Sequence, residues 1–184
     1  MTEILSLFII IIEVVLLGNL RKKLPWFSHK RGGKTTNHAE RSEYGNMFTG
    51  KHRHTVDSKG RLFIPVRLRE ELGETFMVTR GLQKCLRLYS MAEWEKFAAK
   101  IAALPETRAK DVRHYFFANA FDTTLDSQGR VTLPSECRTF AGLDKNVVLV
   151  GDDTRLEIWD EALWDELDAA NSDNILPVLE ELGF

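Results

Sequence analysis

One short segment, Asp57-Ser58-Lys59-Gly60-Arg61, occurs a second time in the chain as Asp126-Ser127-Gln128-Gly129-Arg130. The positions that follow keep this separation at first, and one extra residue in the second copy then lengthens it by one. The further matches are Pro65 with Pro134, Gly73 with Gly142, Gly81 with Gly151, Leu86 with Leu156, Leu88 with Ile158, Tyr89 with Trp159 and Trp94 with Trp164. Because so many positions match with a single insertion, the chain contains two copies of one unit of about 45 residues.

Both copies carry the same order of local structure signals. The Asp-Ser-x-Gly segment is typical of a tight turn, because Asp and Ser bond backbone amides and Gly accepts a positive φ angle. A strand ending at proline follows, and then a short helix, predicted over 66–72 and 135–141 and closed by Gly73 and Gly142. Two further strands and a helix complete each copy, and in the first copy a capping box at Ser90 begins that helix.

The size of the unit decides the architecture. About 45 residues cannot easily bury a self-sufficient core, so the two copies are expected to pack together with interleaved strands and pseudo-two-fold symmetry. The predicted fold is α+β, mainly β with short helices. The predicted segments are an N-terminal extension over 1–46, a first repeat over 51–95, linking helices over 96–119, a second repeat over 120–163 and an acidic C-terminal helix or tail over 164–184.

Charge is segregated along the chain, although the net charge is only −2. Residues 47–69 carry a net charge of +5, the matching window 116–138 carries −1, and residues 151–184 carry −10. Such an asymmetry indicates an anionic partner bound at one place. The cations of the first window are candidates for phosphate or base contacts with DNA, and they are Lys51, Arg53, Lys59, Arg61, Arg67 and Arg69.

The N-terminal extension has three possible explanations. Its apolar stretch over 4–20 is short for a bilayer span, and a basic polar linker over 21–46 follows. It is a membrane anchor on a cytosolic domain, an ordered extra helix, or a dispensable extension that reflects an upstream start site. The third explanation is favoured, because every repeat match lies beyond Met47. If translation starts at Met47, no membrane association is expected.

Enzymatic chemistry finds no support in the sequence. There is no nucleophile elbow, paired-carboxylate constellation or phosphate loop, so neither catalysis nor a cofactor is predicted. His52 and His54 alternate on a strand and could form half a metal site, but no neighbouring ligands complete it, and no metal is predicted. Two cysteines cannot form a disulfide framework, which favours a reducing, cytosolic environment.

The duplicated motif resembles the MraZ family of bacterial transcriptional regulators. The resemblance runs from Met47 to about Trp164, and it rests on the following motifs. They are Met47-Phe48-x-Gly50, Asp57-Ser58-Lys59-Gly60-Arg61-Leu62-x-Ile64-Pro65, Asp126-Ser127-x-Gly129-Arg130-Val131-x-Leu133-Pro134, Ala141-Gly142-Leu143-Asp144-Lys145, Val147-Val148-Leu149-Val150-Gly151 and Glu157-Ile158-Trp159-Asp160. It implies two AbrB-type swapped-hairpin repeats that form an intramolecular pseudo-dimer barrel. It also implies a ring-like homo-oligomer at the nucleoid, which binds repeated operator boxes in double-stranded DNA. There it represses the division and cell-wall gene cluster, its own gene included.

The role of Arg61 in the turn motif and the function of the protein each have two possible interpretations. Arg61 is suited to bidentate contact with guanine or phosphate, yet Asp57 could hold it as a turn partner. The residues predicted to have a structural role in the turns are Asp57, Gly60, Asp126, Gly129 and Arg130. The alternative function is a membrane-tethered or antitoxin-like protein-interaction module, in which the acidic C-terminal stretch is the working surface.

Overall fold

The computed structural model describes residues 47–183. The predicted apolar stretch over 4–20 and the polar linker over 21–46 lie outside the described residues. The strands are β1 (Lys51–Thr55), β2 (Arg61–Phe63), β3 (Thr75–Arg80), β4 (Cys85–Ser90), β5 (Phe121–Thr124), β6 (Arg130–Thr132), β7 (Asn146–Asp152) and β8 (Arg155–Asp160). The helices are α1 (Val66–Leu72), α2 (Met91–Ala102), α3 (Glu106–Phe117), α4 (Ser135–Ala141) and α5 (Glu161–Leu182).

The local signals place the helix ends correctly. Helices α1 and α4 span the two predicted ranges and begin directly after a proline, whose fixed φ angle suits the residue before the first helical turn. At the start of α2, the Ser90 hydroxyl accepts a hydrogen bond from the Glu93 amide at 3.3 Å. Helix α5 has 22 residues and begins three residues before the segment over 164–184 that the sequence assigns to an acidic helix or tail.

The strands of the two repeats are interleaved, as predicted. A six-stranded antiparallel sheet has the order β1-β7-β8-β4-β3-β5, and β2 pairs with β6 in a separate two-stranded ribbon. Strand β1 of the first repeat therefore pairs with β7 of the second, while β5 of the second pairs with β3 of the first. Neither repeat completes its own sheet, because each supplies an edge strand to the other.

The pairing follows the pseudo-two-fold symmetry of the duplication. In the centre of the large sheet, Arg87 on β4 lies opposite Glu157 on β8, and these residues hold equivalent places in the two repeats. In the ribbon, Leu62 lies opposite Val131, which is its equivalent in the second repeat. Each pair marks a point where the symmetry axis passes between equivalent residues.

The sheet separates two layers of the structure. One face carries the main core, which joins the sheet to the ribbon and to α1 and α4 through side chains such as Leu62, Leu68 and Val131. The other face is covered by α2, α3 and α5, where Tyr89, Trp94, Phe97, Phe116 and Phe117 form an aromatic cluster and Trp159 packs on Trp164. The ribbon and the long C-terminal helix thus lie on opposite sides of the sheet.

Candidate nucleic-acid interface

The turn before β2 is held by the carboxylate of Asp57. Its Oδ1 accepts hydrogen bonds from the amides of Lys59 and Arg61 at 2.9 and 3.0 Å. Its Oδ2 lies 2.7 Å from both Nε and Nη2 of Arg61. The Arg61 hydrogen bonds hold the pKa of Asp57 at about 2, well below its usual value. One edge of the Arg61 guanidinium is therefore used by the turn itself.

The second repeat builds the same turn with the same contacts. Asp126 accepts from the amides of Gln128 and Arg130 at 2.9 Å, and its Oδ2 lies 2.8 Å from Nε of Arg130. The bonds from Arg130 lower the pKa of Asp126 as well. The Asp–Arg pair thus has one geometry in both repeats, although the two windows differ in the sign of their net charge.

The two turns lead into the ribbon, which presents two arginines on one surface. Arg61 lies opposite Thr132, and Phe63 lies opposite Arg130. Residues directly opposite each other in an antiparallel pair point to the same face. Leu62 and Val131 are fully buried on the inner face, so both arginines lie on the outer face. Phe63 lies on the same outer face and is 40 % exposed.

Two more arginines connect the repeats beside the ribbon. The Arg69 guanidinium lies over Gly129, so close that a Cβ atom there would be 1.8 Å from its Cζ. Its Nε donates to the Ile64 carbonyl at 2.5 Å, and its Cζ is 4.5 Å from the centre of the Phe63 ring. Arg138, its equivalent in the second repeat, lies over Gly60 in the same way.

The remaining cations on this side are more exposed. Lys59 lies at the exposed tip of the turn and forms no ion pair within the described part of the chain. The Arg67 side chain is 61 % exposed, donates to the Thr49 hydroxyl at 3.0 Å and lies 3.6 Å from Glu71. Together with Arg61 and Arg69, these side chains give the ribbon side of the first repeat four cations.

Lys51 and Arg53 contact the acidic helix α5. Lys51 Nζ is 2.7 Å from a carboxylate oxygen of Asp168. Arg53 forms a forked pair with Asp165 at 2.7 and 3.3 Å, and its Nη1 also contacts Glu161 at 2.5 Å. These carboxylates raise the pKa of Arg53, and Arg53 lowers the pKa of Asp165.

Side chains of β1 alternate between the two faces of the sheet, and this separates Lys51 and Arg53 from the other four candidate cations. His52 and His54 lie opposite the core residues Leu149 and Val147, and the His54 ring is 5.7 Å from the ring of Phe63 on the ribbon. Neighbouring residues of a strand point to opposite faces. Lys51 and Arg53 therefore lie on the helix-covered face, whereas Lys59, Arg61, Arg67 and Arg69 lie on the ribbon side.

Arg138 and Phe63 are not among the candidate residues that the sequence predicts. Arg138 stands at the place in the second repeat that Arg69 holds in the first, so the two match at the separation of the repeat. Arg138 is present although its window, 116–138, has no net positive charge. This indicates that the arginine at this position has a structural role in both repeats. For Phe63 the sequence predicts only that it lies in the strand that ends at Pro65. Nothing local shows that it points outward, because this depends on the partner strand from the other repeat.

The described part of the chain offers few candidates for a membrane span, a metal site or a reactive cysteine. Residues 47–183 contain no helix that combines the length and the apolar character required to cross a bilayer. They also contain no group of three or more His, Cys, Asp or Glu residues placed to hold a metal ion. Both cysteines are free, and burial raises the pKa of the Cys85 thiol to about 12.

The fold and the ribbon together define a class: proteins in which two copies of one repeat unit exchange strands within a single chain. Comparison with known proteins gives the particular family. Residues 47–113 and 116–176 match the family described as "MraZ protein, putative antitoxin-like". The chain belongs to the MraZ family.

Several relatives have a closely similar sequence. The transcriptional regulator MraZ of Moorella thermoacetica is 46 % identical over 139 residues, which cover 74 % of this chain and 96 % of the relative. The protein of that name from Carboxydothermus hydrogenoformans is 52 % identical over 121 residues, covering 64 % and 84 %. That of Acetivibrio thermocellus is 47 % identical over 122 residues, covering 65 % and 85 %.

Proposed function

We propose that this chain is a transcriptional regulator that binds double-stranded DNA through the β2–β6 ribbon. The names of the relatives support the regulatory role. The observation that carries the proposal is the outer face of the ribbon, where Arg61 and Arg130 occupy diagonal positions and Phe63 lies opposite Arg130. We further propose that it acts at the nucleoid in the cytoplasm and represses the division and cell-wall gene cluster that includes its own gene.

A two-stranded ribbon has the right dimensions for this role. The major groove of B-DNA is about 12 Å wide and admits such a ribbon. Asp57 uses Nε and one N–H of Nη2 on Arg61, so the edge formed by Nη1 and Nη2 is left for a bidentate contact with guanine or for a phosphate. Lys59, Arg67 and Arg69 flank the ribbon on the same side and would bind phosphates.

The proposal includes a homo-oligomer, with a ring-like arrangement, that binds repeated operator boxes. Helix α5 supports this part, because Ile175, Val178 and Leu182 are exposed at helical spacing toward its C-terminal end. Several linked binding units on repeated boxes raise the overall affinity without new contacts. A barrel closed by the ribbon also belongs to the proposal, and the bridge between Val56 and Leu62 supports it.

The test compares four variants with the wild-type protein. Fluorescence anisotropy would measure binding to a labelled duplex that covers the region upstream of the protein's own gene, with a scrambled duplex of equal length beside it. We expect Arg61→Ala to lose about 1–3 kcal/mol per binding unit for one bidentate contact, and Arg130→Ala to lose less. Arg108→Ala, at an exposed position of α3, controls for the loss of one positive charge.

Asp57→Ala separates the structural role of Arg61 from a contact with DNA. This variant breaks the same ion pair but leaves the guanidinium in place. Asp57→Ala also removes the acceptor of the Lys59 and Arg61 amides, so it should be the less stable of the two variants. If Arg61 contacts DNA, Arg61→Ala nevertheless binds much more weakly than Asp57→Ala. If binding defects instead follow the loss of melting temperature in all variants, Arg61 is a turn residue only and the proposed interface is wrong.

A second candidate function is a protein-interaction module of the antitoxin-like kind. The exposed apolar residues of α5 favour it, since they could receive a partner protein instead of a second copy. Failure of the wild-type protein to bind the upstream duplex, together with a monomeric mass in solution, would favour this candidate over DNA binding.

A further inference from the structure

The centre of the large sheet contains an ion pair that breaks the symmetry of the duplication. Arg87 on β4 and Glu157 on β8 are equivalent positions of the two repeats, and they lie directly opposite each other. A residue at such a position always faces its own equivalent. In a pair of identical repeats it would face a copy of itself, and only a duplicated chain can place opposite charges there.

The Arg87–Glu157 ion pair is buried, and the Glu157 carboxylate has further hydrogen-bond and ionic partners. Arg87 Nε is 2.9 Å from Oε1 of Glu157, and the two side chains are only 13 % and 10 % exposed. The other carboxylate oxygen of Glu157 accepts from the indole N–H of Trp159 at 3.0 Å, and Arg155 Nε approaches Oε1 at 3.4 Å. Both charges therefore have partners in a region with little access to water.

We propose that Arg87 and Glu157 make the two unlike repeats pair with each other and prevent pairing between like repeats. If two first repeats from separate chains paired, Arg87 would face the Arg87 of a second copy. Its neighbours on that face of the strand are Cys85 and Tyr89, which bring no carboxylate. Two buried cations without a counter-charge are strongly unfavourable, so this arrangement is disfavoured.

The second repeat contributes less to this discrimination. Two facing Glu157 side chains would repel each other, but each has Arg155 close by on its own strand. The equivalent of Arg155 in the first repeat is Cys85, so Arg87 has no such compensation. Exchange of repeats between two chains through like pairing creates both contacts at once, and the Arg87 contact therefore opposes it.

The covalent connection between the repeats acts in the same direction. It gives the two repeats an effective concentration on the order of millimolar, which favours pairing within one chain. A test must therefore use a protein in which the charges at positions 87 and 157 favour pairing between chains, while the covalent link still favours pairing within one chain. A mixture of two full-length variants meets this requirement: Arg87→Glu has two acidic residues at the axis, and Glu157→Arg has two basic residues there.

A disulfide reporter shows which repeats have paired. Thr55 and Asn146 are exposed and lie directly opposite each other on β1 and β7, one in each repeat. Opposite residues of antiparallel strands have Cα atoms about 4.5–5.5 Å apart, which suits a disulfide. In a background with Thr55→Cys, Asn146→Cys and Cys137→Ser, oxidation gives a monomer on a non-reducing denaturing gel when pairing is within a chain. It gives a covalent dimer when unlike repeats of two chains pair with each other, and no disulfide when like repeats pair, because Thr55 would then face Thr75 instead of Asn146.

The mixture decides the proposal. We expect the protein with native residues at the axis to give the monomer band, and Arg87→Glu and Glu157→Arg refolded together to give mainly covalent dimers. Isotope labelling of one variant and intact-mass measurement should show that each dimer holds one chain of each kind. If the mixture gives only monomer bands, or dimers of random composition, the axis charges do not select the partner and the proposal is overturned.

Two control variants guard against simple misfolding. The double variant Arg87→Glu/Glu157→Arg restores opposite charges and should return to the monomer band, with some loss of stability because Trp159 loses its acceptor. Reversal of the exposed pair Arg113–Glu106 on α3 should leave the band pattern unchanged. If the double variant folds while the mixture forms no hybrid dimers, the proposal is equally overturned.

Discussion

Replacing Gly129 with alanine should destabilise the protein by about 2–4 kcal/mol, from two contributions that the structure separates. Gly129 has a φ angle of +75°, where a side chain costs about 1–2 kcal/mol. The new Cβ would also lie 1.8 Å from Cζ of Arg69. Because the obstacle is the end of a flexible side chain, the guanidinium moves away and loses its bond to the Ile64 carbonyl, at about 1–2 kcal/mol.

Gly142→Ala is the matched control for this prediction. Gly142 has a φ angle of +62°, but nothing lies within 4 Å of the position of its Cβ, so only the backbone contribution applies. Urea unfolding would measure both free energies. In an Arg69→Ala background, the cost of Gly129→Ala should fall to that of Gly142→Ala. If Gly129→Ala costs no more than Gly142→Ala in the wild-type background, Arg69 does not hold the two repeats together.

Two further predictions concern the ion pairs. The lowered pKa of Asp57 means that its contribution to stability is fully present above its ordinary pKa of 3.8 and is lost as the pH falls toward about 2. Urea midpoints measured across this range should therefore drop less steeply in Asp57→Asn than in the wild-type protein, and parallel curves would contradict the assignment. Arg53→Ala should speed hydrogen exchange across the first turns of α5, and Asp165→Asn should do the same. Glu166→Gln should not, because it removes a charge that forms no ion pair within residues 47–183. Equal exchange in all three variants would show that α5 is held by its apolar contacts alone.

The repeat, the turns and the short helices follow from the sequence because their signals are local. Turn residues, prolines and closing glycines act within a few positions, and the small size of one unit requires the two to pack together. The positions of Arg53 and Arg69 could not be obtained in this way. Arg53 pairs with Asp165 on α5, far away in the sequence, and Arg69 packs on a turn of the other repeat. Charge in a sequence window shows neither contact, because it does not tell which face of a strand carries each cation.

The exchange of edge strands has a consequence for synthesis on the ribosome. During synthesis, Lys51 on β1 cannot pair until Val150 on β7, in the other repeat, has been made. With roughly 100 residues between them and a synthesis rate of about 5–20 residues per second, this delay lasts on the order of 5–20 s. During that time the first repeat is an unfinished domain, with apolar side chains and strand edges accessible to chaperones and to neighbouring nascent chains. Its contacts are distant in sequence, so folding should be slow and largely post-translational, and a stalled or truncated product should be recognised by proteases instead of persisting as a half-protein.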